Sequence, residues 1–401
     1  MNRWLSVIGI GDDGLAGLSP AARTLVETAQ TLVGGARHLA MVPPGAAERL
    51  EWQRPIADTV PLIAARRGKR VAVLASGDPL WYGAGIMLAR TFPREEMTIL
   101  PHPGAFSLAA ARLGWPLADC ALVSLHGRPL EALRLHLAPN RRTLLLAEDG
   151  AMPRKVARLL TELGWGPSPM TAFEYLGGSR EAAVSAVAEE WGDRNVADLN
   201  TIAVECVPSP SARPLSRLAG LPDDAFEHDG QLTKREIRAA TLAALAPLDG
   251  ETLWDIGAGS GSIAIEWLRA VQGGAAVAVE RDPARAAAIA RNAAALGVPG
   301  LEIVIGEAPD ALPQGVPDAI FVGGGVAEPA LLPVLWQRLR PNGRVVANVV
   351  SLAGERAVGD WQARHGGALT RIAISRVEAL GGQQVWRPLL PVTQLAAVKP
   401  G

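Results

Sequence analysis

The sequence predicts an α/β protein made of two unlike domains in series. Three observations carry this. Short apolar runs alternate with helical patterns along most of the chain, as parallel sheets covered by helices require. Prolines at 208, 210, 214 and 222 interrupt any regular element near the middle. The glycine-rich turns on either side of that break differ in spacing. The 401 residues suit about two or three domains. The expected division is a domain over 1–207, a semi-rigid proline-rich linker over 208–224 and a second domain over 225–401.

In the first domain, Val7-Ile8-Gly9-Ile10-Gly11 is a buried strand entering a turn. Ser19-Pro20 is an N-cap followed by the first helical position. Strands are expected at 71–75, 98–100, 121–125, 143–147, 170–175 and 201–205. Helices are expected at 105–113, 153–163 and 181–191. In the second domain, helices are expected at 233–245, 284–296 and 330–339. Strands are expected at 252–256, 275–280, 301–305, 319–322 and 344–350. Segments 371–375 and 383–388 are possible additions at the sheet edge.

Composition excludes several classes. Apolar residues make up 49% and charged residues 20%, with a formal net charge of -1. Each domain has enough apolar material for an ordinary core. The absence of a basic block argues against a nucleic-acid partner. The two cysteines, Cys120 and Cys206, are too far apart in sequence for a disulfide framework or a zinc motif. The N-terminus meets Asp12-Asp13 too early for a signal peptide, and no apolar run has the length of a membrane span. The expectation is a cytoplasmic protein with neither a metal nor a membrane partner, and a homo-oligomer. The eleven tryptophans are scattered and are assigned to packing.

The sharpest motif is Leu253-Trp254-Asp255-Ile256-Gly257-Ala258-Gly259-Ser260-Gly261-Ser262, followed by a second apolar run ending in Glu280. Glycines on a strand-to-helix turn let a nucleotide-like ligand approach the backbone. An acid about 20 residues on accepts hydrogen bonds from ribose hydroxyls. The Gly-x-Gly-x-Gly spacing resembles the S-adenosylmethionine (SAM) loop of Rossmann-like methyltransferases. On that reading Gly257, Gly259 and Gly261, with Ser262, face the cofactor. Asp255 accepts from its ammonium or from a turn amide, or caps the loop. Glu307 and Ala308, after the third strand, lie near the adenine. Gly323-Gly324-Gly325 leaves floor space for a large flat substrate. Upstream, Thr233 and Glu236 have capping-box spacing at a helix start that also faces the cleft. Lys234, Arg235 and Arg238 are candidates for substrate carboxylates.

In the first domain, Gly9-x-Gly11 gains meaning from Ser76-Gly77-Asp78-Pro79-Leu80-Trp81-Tyr82-Gly83. Pro103-Gly104-Ala105-Phe106-Ser107 and Glu148-Asp149-Gly150 follow in order. This series resembles the tetrapyrrole methylases, where such turns hold SAM. The resemblance assigns Gly9, Gly11, Gly77, Asp78, Pro79, Gly83 and Ser107 to a cofactor site. Gly11-Asp12-Asp13-Gly14 stands where the wider family has Gly-Pro-Gly.

Both motif sets on one chain, with His228-Asp229-Gly230-x-x-Thr233-Lys234 before the second, resemble the bifunctional precorrin-6B C5,15-methyltransferases (decarboxylating) of cobalamin synthesis. The resemblance implies a tetrapyrrole methylase-like domain fused to a Rossmann-like class I methyltransferase domain, with two SAM sites. It implies methylation of meso carbons 5 and 15 of a tetrapyrrole and loss of the ring C acetate carboxylate, giving precorrin-8. It places carbon 5 in the N-terminal domain and carbon 15, with decarboxylation, in the C-terminal one. No nucleophile is required, because the macrocycle is electron-rich and the sulfonium is activated. A proton donor after decarboxylation is required, and His228, Asp229 and Glu307 are the candidates. His102 and His126 are assigned to loops or packing. The alternatives are another tetrapyrrole as substrate, or one catalytic domain beside a degenerate domain that holds the macrocycle.

Overall fold

The computed structural model describes residues 3–401. Its contacts form two units: the chain up to Leu130 with Ala138–Arg213, and Glu131–Leu137 with Pro214–Gly401. Among the described residues no helix is long and apolar enough to cross a membrane.

The first unit contains two five-stranded sheets. One is built from β1 (Leu5–Ile10), β2 (Thr31–Gly34), β3 (Glu48–Glu51), β4 (Val71–Ser76) and β5 (Met97–Leu100), in the order β3-β2-β4-β1-β5. All of its pairings are parallel. β1 is buried along its whole length, as a central parallel strand covered on both faces must be. Its residues alternate between two cores. Leu5 and Val7 pack with Val33, Val73 and Leu88, while Ile8 and Ile10 pack with Leu32, Leu74 and Leu39. The other sheet is mixed: β6 (Cys120–Ser124), β7 (Arg142–Leu146), β8 (Pro169–Glu174), β9 (Ala182–Val187) and β10 (Asn200–Glu205), ordered β6-β7-β10-β8-β9. The helix expected at 181–191 is instead the edge strand β9, antiparallel to β8. Its alanines suit a helix, but Val184 and Val187 are β-branched, and the edge of β8 was free to pair.

The second unit is a seven-stranded sheet of β11 (Thr252–Ile256), β12 (Ala275–Glu280), β13 (Glu302–Ile305), β14 (Ala319–Val322), β15 (Arg344–Val349), β16 (Ala368–Ile372) and β19 (Val392–Val398). The order is β13-β12-β11-β14-β15-β19-β16. β11 to β15 pair in parallel, and β19 enters antiparallel between β15 and β16. Of the two expected edge strands, the first straddles the end of β16 and the start of the next strand, sharing only Arg371 and Ile372 with β16. Segment 383–388 does not join the sheet: β17 (Ser375–Leu380) and β18 (Gln383–Pro388) form a separate two-stranded ribbon. Trp254 and Ile256 face one core, and Leu253 faces the other with Trp267 and Ile289.

The stretch expected to be a linker is held at both ends. Ser209 donates its amide to the Gly164 carbonyl in the first unit. Leu221 is 2% exposed in the core of the second, and Gly220 and Leu221 donate their amides to Glu266.

Candidate functional sites at two sheet edges

In an open parallel sheet, ligands bind outside the carboxyl ends of the strands, where the strand order reverses. In the second unit that point lies between β11 and β14. Gly323 donates its amide to the Ile256 carbonyl there (2.8 Å). Gly257 sits at φ +70°, and a Cβ on it would lie 3.1 Å from the Gly324 nitrogen. A larger residue would be strained and would push the two loops apart. A cleft of about 680 Å³ opens here, lined by Gly257, Gly259, Glu280, Glu307, Ala308 and Thr233 among others.

Glu280 ends β12 and is 4% exposed. Its Oε2 accepts from the Gly259 amide (2.8 Å) and its Oε1 from the Asp282 amide (3.0 Å). A carboxylate has about four acceptor positions, so each oxygen retains one for a paired-hydroxyl ligand. The same side chain therefore holds the glycine turn and faces the cleft. Sequence reasoning found the second role and missed the first.

Asp255 is fully buried beneath the turn. Its Oδ2 accepts from the amide of Ala264 (3.0 Å), in the first turn of the helix Ser262–Ala270 and not in the glycine turn. Its Oδ1 has no partner among the described residues. Burial pushes its carboxyl up to about 7, and Glu280 nearby adds to the shift. Gly261 is the left-handed cap of the helix Ser262–Ala270. A Cβ on it would lie 2.7 Å from Ile289 Cγ2, so it serves helix packing. Ser262, the first helical residue, is buried.

Three expectations need correction. The helix starts at Arg235, with Lys234 as N-cap and no side-chain cap bond, so Thr233 and Glu236 form no capping box. Glu236 instead pairs with Arg376 (2.6 Å), a partner far away in sequence. Arg238 is not available to substrate. It is fully buried, paired with Glu266 (2.6 Å) and Asp223 (3.2 Å), and donates to the carbonyls of Thr233 and Leu221. Asp229 does not suit a proton donor. The Gln231 amide and the Arg285 guanidinium hold its carboxyl below the usual range, and Arg285 Nη2 lies 2.8 Å away. His228 Nδ1 accepts from the Gly230 amide. Glu307 is exposed and paired with Arg281 (3.1 Å). Lys234 lines the cleft and makes no ion pair among the described residues.

In the first unit the loops after β1, β4 and β5 converge. Gly77 donates to the Ile10 carbonyl (3.1 Å), and His102 donates its amide to the Gly77 carbonyl (3.3 Å). Gly77 has φ +56°, and a Cβ on it would lie 2.6 Å from Gly104 Cα. Gly9, expected at the cofactor, is required for backbone packing. Its Cβ would lie 2.0 Å from the Gly77 oxygen. Gly83 likewise packs on the Pro79 oxygen, 2.6 Å from a Cβ. Asp78 Oδ1 accepts from the Leu80 amide (2.9 Å), which tightens the turn. Pro79 is buried, and Ser107 is exposed on the helix Ala105–Leu113 that Gly104 caps. Gly11 lies beside both Asp13 and His102, whose Oδ1 and Nε2 are 3.6 Å apart. His102, read as a loop residue, thus stands among the predicted cofactor turns. Leu80 and Trp81 are exposed on the same loop, and Arg128 lies over the Tyr82 ring at 4.8 Å.

Each unit thus gathers glycine turns at the carboxyl ends of parallel strands. The chain matches the family model for tetrapyrrole (corrin/porphyrin) methylases over residues 5–191 and the model for the precorrin methyltransferase domain over residues 224–399. A Sinorhizobium relative named precorrin-6Y C(5,15)-methyltransferase [decarboxylating] is 48% identical over 99% of this chain and 96% of its own. This chain belongs to that family, the SAM-dependent C-methyltransferases that methylate carbons 5 and 15 and decarboxylate in cobalamin biosynthesis. Two shorter relatives each match less than half of it. A Salmonella typhimurium cobalt-precorrin-7 C(5)-methyltransferase is 37% identical over 43% of this chain and 85% of its own. A Pyrobaculum aerophilum probable cobalt-precorrin-6B C(15)-methyltransferase (decarboxylating) is 34% identical over 44% of this chain and 95% of its own.

Proposed function

We propose that each unit binds its own SAM, that the N-terminal unit methylates carbon 5, and that the C-terminal unit methylates carbon 15 and decarboxylates the ring C acetate of precorrin-6B to give precorrin-8. The observation that carries this reading is the presence of two separate sheet edges, each with its own glycine turns. The single-activity names of the two shorter relatives support one activity per unit.

The donor set of the C-terminal cleft fits SAM. Glu280 retains acceptor positions for ribose hydroxyls, the Gly257–Gly261 turn bares the backbone, and Glu307 and Ala308 flank the far end. SAM supplies an electrophilic methyl group. The chain's residues bind and orient the reactants and exclude water, and good alignment alone removes a large part of such a barrier. Lys234, with no ion pair among the described residues, is the cleft's candidate for a substrate carboxylate. In the N-terminal unit, Gly11, Gly77, Asp78, Pro79 and Ser107 outline the corresponding site.

Calorimetry of the full chain tests the site number. The expected stoichiometry is two SAM per chain, falling to one in Gly257→Val. A stoichiometry of one in the natural protein contradicts the reading.

A further inference from the structure

A polar cluster at the N-terminal sheet edge joins Arg37 and His38, which lie in no motif above, to Ser76 and Asp12, which have no role yet. The short helix Ala36–Ala40 follows β2 and sets Arg37 and His38 beside Ser76, the last residue of β4. His38 Nε2 lies 3.0 Å from Ser76 Oγ. Arg37 Nη2 lies 3.1 Å from that same nitrogen and 3.3 Å from Ser76 Oγ. Arg37 Nη1 pairs with Asp12 Oδ1 at 3.0 Å. Asp12 belongs to the Gly11-Asp12-Asp13-Gly14 turn after β1.

The hydrogen bonding fixes the imidazole. A guanidinium only donates, so Nε2 accepts and the ring hydrogen sits on Nδ1. Nδ1 is buried with no partner among the described residues. Burial first, and the Arg37 charge second, lower His38 to about 4. At neutral pH it is an uncharged acceptor facing a serine hydroxyl. Ser76 is exposed and directly precedes Gly77 in the predicted cofactor turn.

The reaction supplies the proton. When a sulfonium methyl group replaces the hydrogen on a meso carbon, one proton must leave. Losing it restores the conjugation of the macrocycle, so a weak acceptor is enough.

We propose that Ser76 and His38 carry off the proton released when the N-terminal unit methylates its meso carbon, with Arg37 and Asp12 holding the pair in place. This rests on the assignment of one methylation to that unit. The electron pair of the meso carbon forms the new C–C bond, and the broken C–S pair stays on sulfur. The C–H bond at the methylated carbon then breaks, and its pair re-forms the ring double bond. The proton passes to Ser76 Oγ as Ser76 gives its own hydroxyl proton to His38 Nε2. Arg37 Nη2 turns its hydrogen from Nε2 to Ser76 Oγ. The imidazolium, beside Arg37, returns its proton to water. Ser76 touches the reacting atoms, and His38, Arg37 and Asp12 act through it.

The test uses the full chain, SAM and substrate deuterated at the meso carbons, with methylation at each carbon and carbon dioxide release followed by product mass. Ser76→Ala and His38→Gln are expected to lower kcat for carbon 5 methylation by about 100-fold. KM is expected to hold, the deuterium isotope effect on that step to rise, and carbon 15 chemistry to stay intact. Ser76→Thr, which keeps the hydroxyl, is expected to recover most of the rate. Without substrate, 15N imidazole spectra of the six histidines are expected to contain one Nδ1-protonated ring that stays neutral down to about pH 4 and is missing in His38→Gln. SAM stoichiometry equal to that of the natural protein shows that the variants are folded. An unchanged rate, an unchanged isotope effect in slowed variants, or an ordinary titration of His38 overturns the proposal. A raised isotope effect on carbon 15 in place of carbon 5 keeps the proton route and overturns the assignment of carbons to units.

Discussion

The two units expose glycine turns at the same place, the carboxyl edge of a parallel sheet, but hold them differently. In the C-terminal unit one carboxylate, Glu280, ties the turn through the Gly259 and Asp282 amides while facing the cleft. In the N-terminal unit the turns hold one another by backbone contact: Gly9 against Gly77, Gly77 against Gly104, Gly83 against Pro79. The first arrangement adds a charged side chain to close glycine contacts such as Gly257 on Gly324, and the second rests on close glycine contacts alone. Both are open to steric damage, and the first to electrostatic damage as well.

The largest expected effect lies beneath the C-terminal cleft. Arg238→Leu strips the buried Glu266 carboxylate of its guanidinium partner. Breaking such a pair costs about 3–5 kcal/mol. Thermal unfolding should show the C-terminal transition falling and the N-terminal one unmoved. If both fall together, the units do not have independent cores.

The steric counterpart is Gly9→Ala. Its Cβ would meet the Gly77 oxygen at 2.0 Å, and overpacking of this kind costs about 1–3 kcal/mol. Denaturant unfolding should show the loss in the N-terminal unit, with SAM binding there weakened through the displaced turn. Unchanged stability would remove the close-approach argument.

Glu280→Gln keeps the shape and loses the charge. SAM affinity of the C-terminal site should fall by about 1.5–3 kcal/mol, the range for hydrogen bonds to charged groups. Glu280→Ala should cost more, because it also releases the Gly259 amide. Calorimetry with equal losses for both variants would show that anchoring the turn contributes nothing.

The last comparison is a pair of opposite pH slopes. Asp255 is raised from 3.8 to about 7 in the folded chain. Its contribution to stability is complete below about 3.8 and is lost as pH rises to about 7. His38 is lowered from 6.5 to about 4. Its contribution is complete above about 6.5 and is lost as pH falls to about 4. Asp255→Asn should flatten the slope of the C-terminal transition, and His38→Gln that of the N-terminal one. Slopes that survive these changes would assign them to other groups.

Local chemistry was legible in the sequence. The Gly257–Gly261 turn, the acid at 280, the Gly77-Asp78-Pro79 turn and most strands follow from runs and spacings within a few residues. What failed depended on distant partners. Ala182–Val187 is a strand because β8 offers an edge. Glu236 leaves its capping box for Arg376, and Arg238 turns inward because Glu266 and Asp223 await it. Arg37 and His38 lie in no motif, and they meet Ser76 only when β2 and β4 pair.

The central claim is that each unit owns one methylation. Its most direct test is the product mass made by two full-length variants from precorrin-6B and SAM. Asp78→Ala combined with Gly77→Val should give a product with one added methyl and carbon dioxide lost. Gly257→Val combined with Gly259→Val should give one added methyl with the carboxylate retained. Carbon dioxide release by the second variant, or loss of both methylations in either one, would contradict the division of labour.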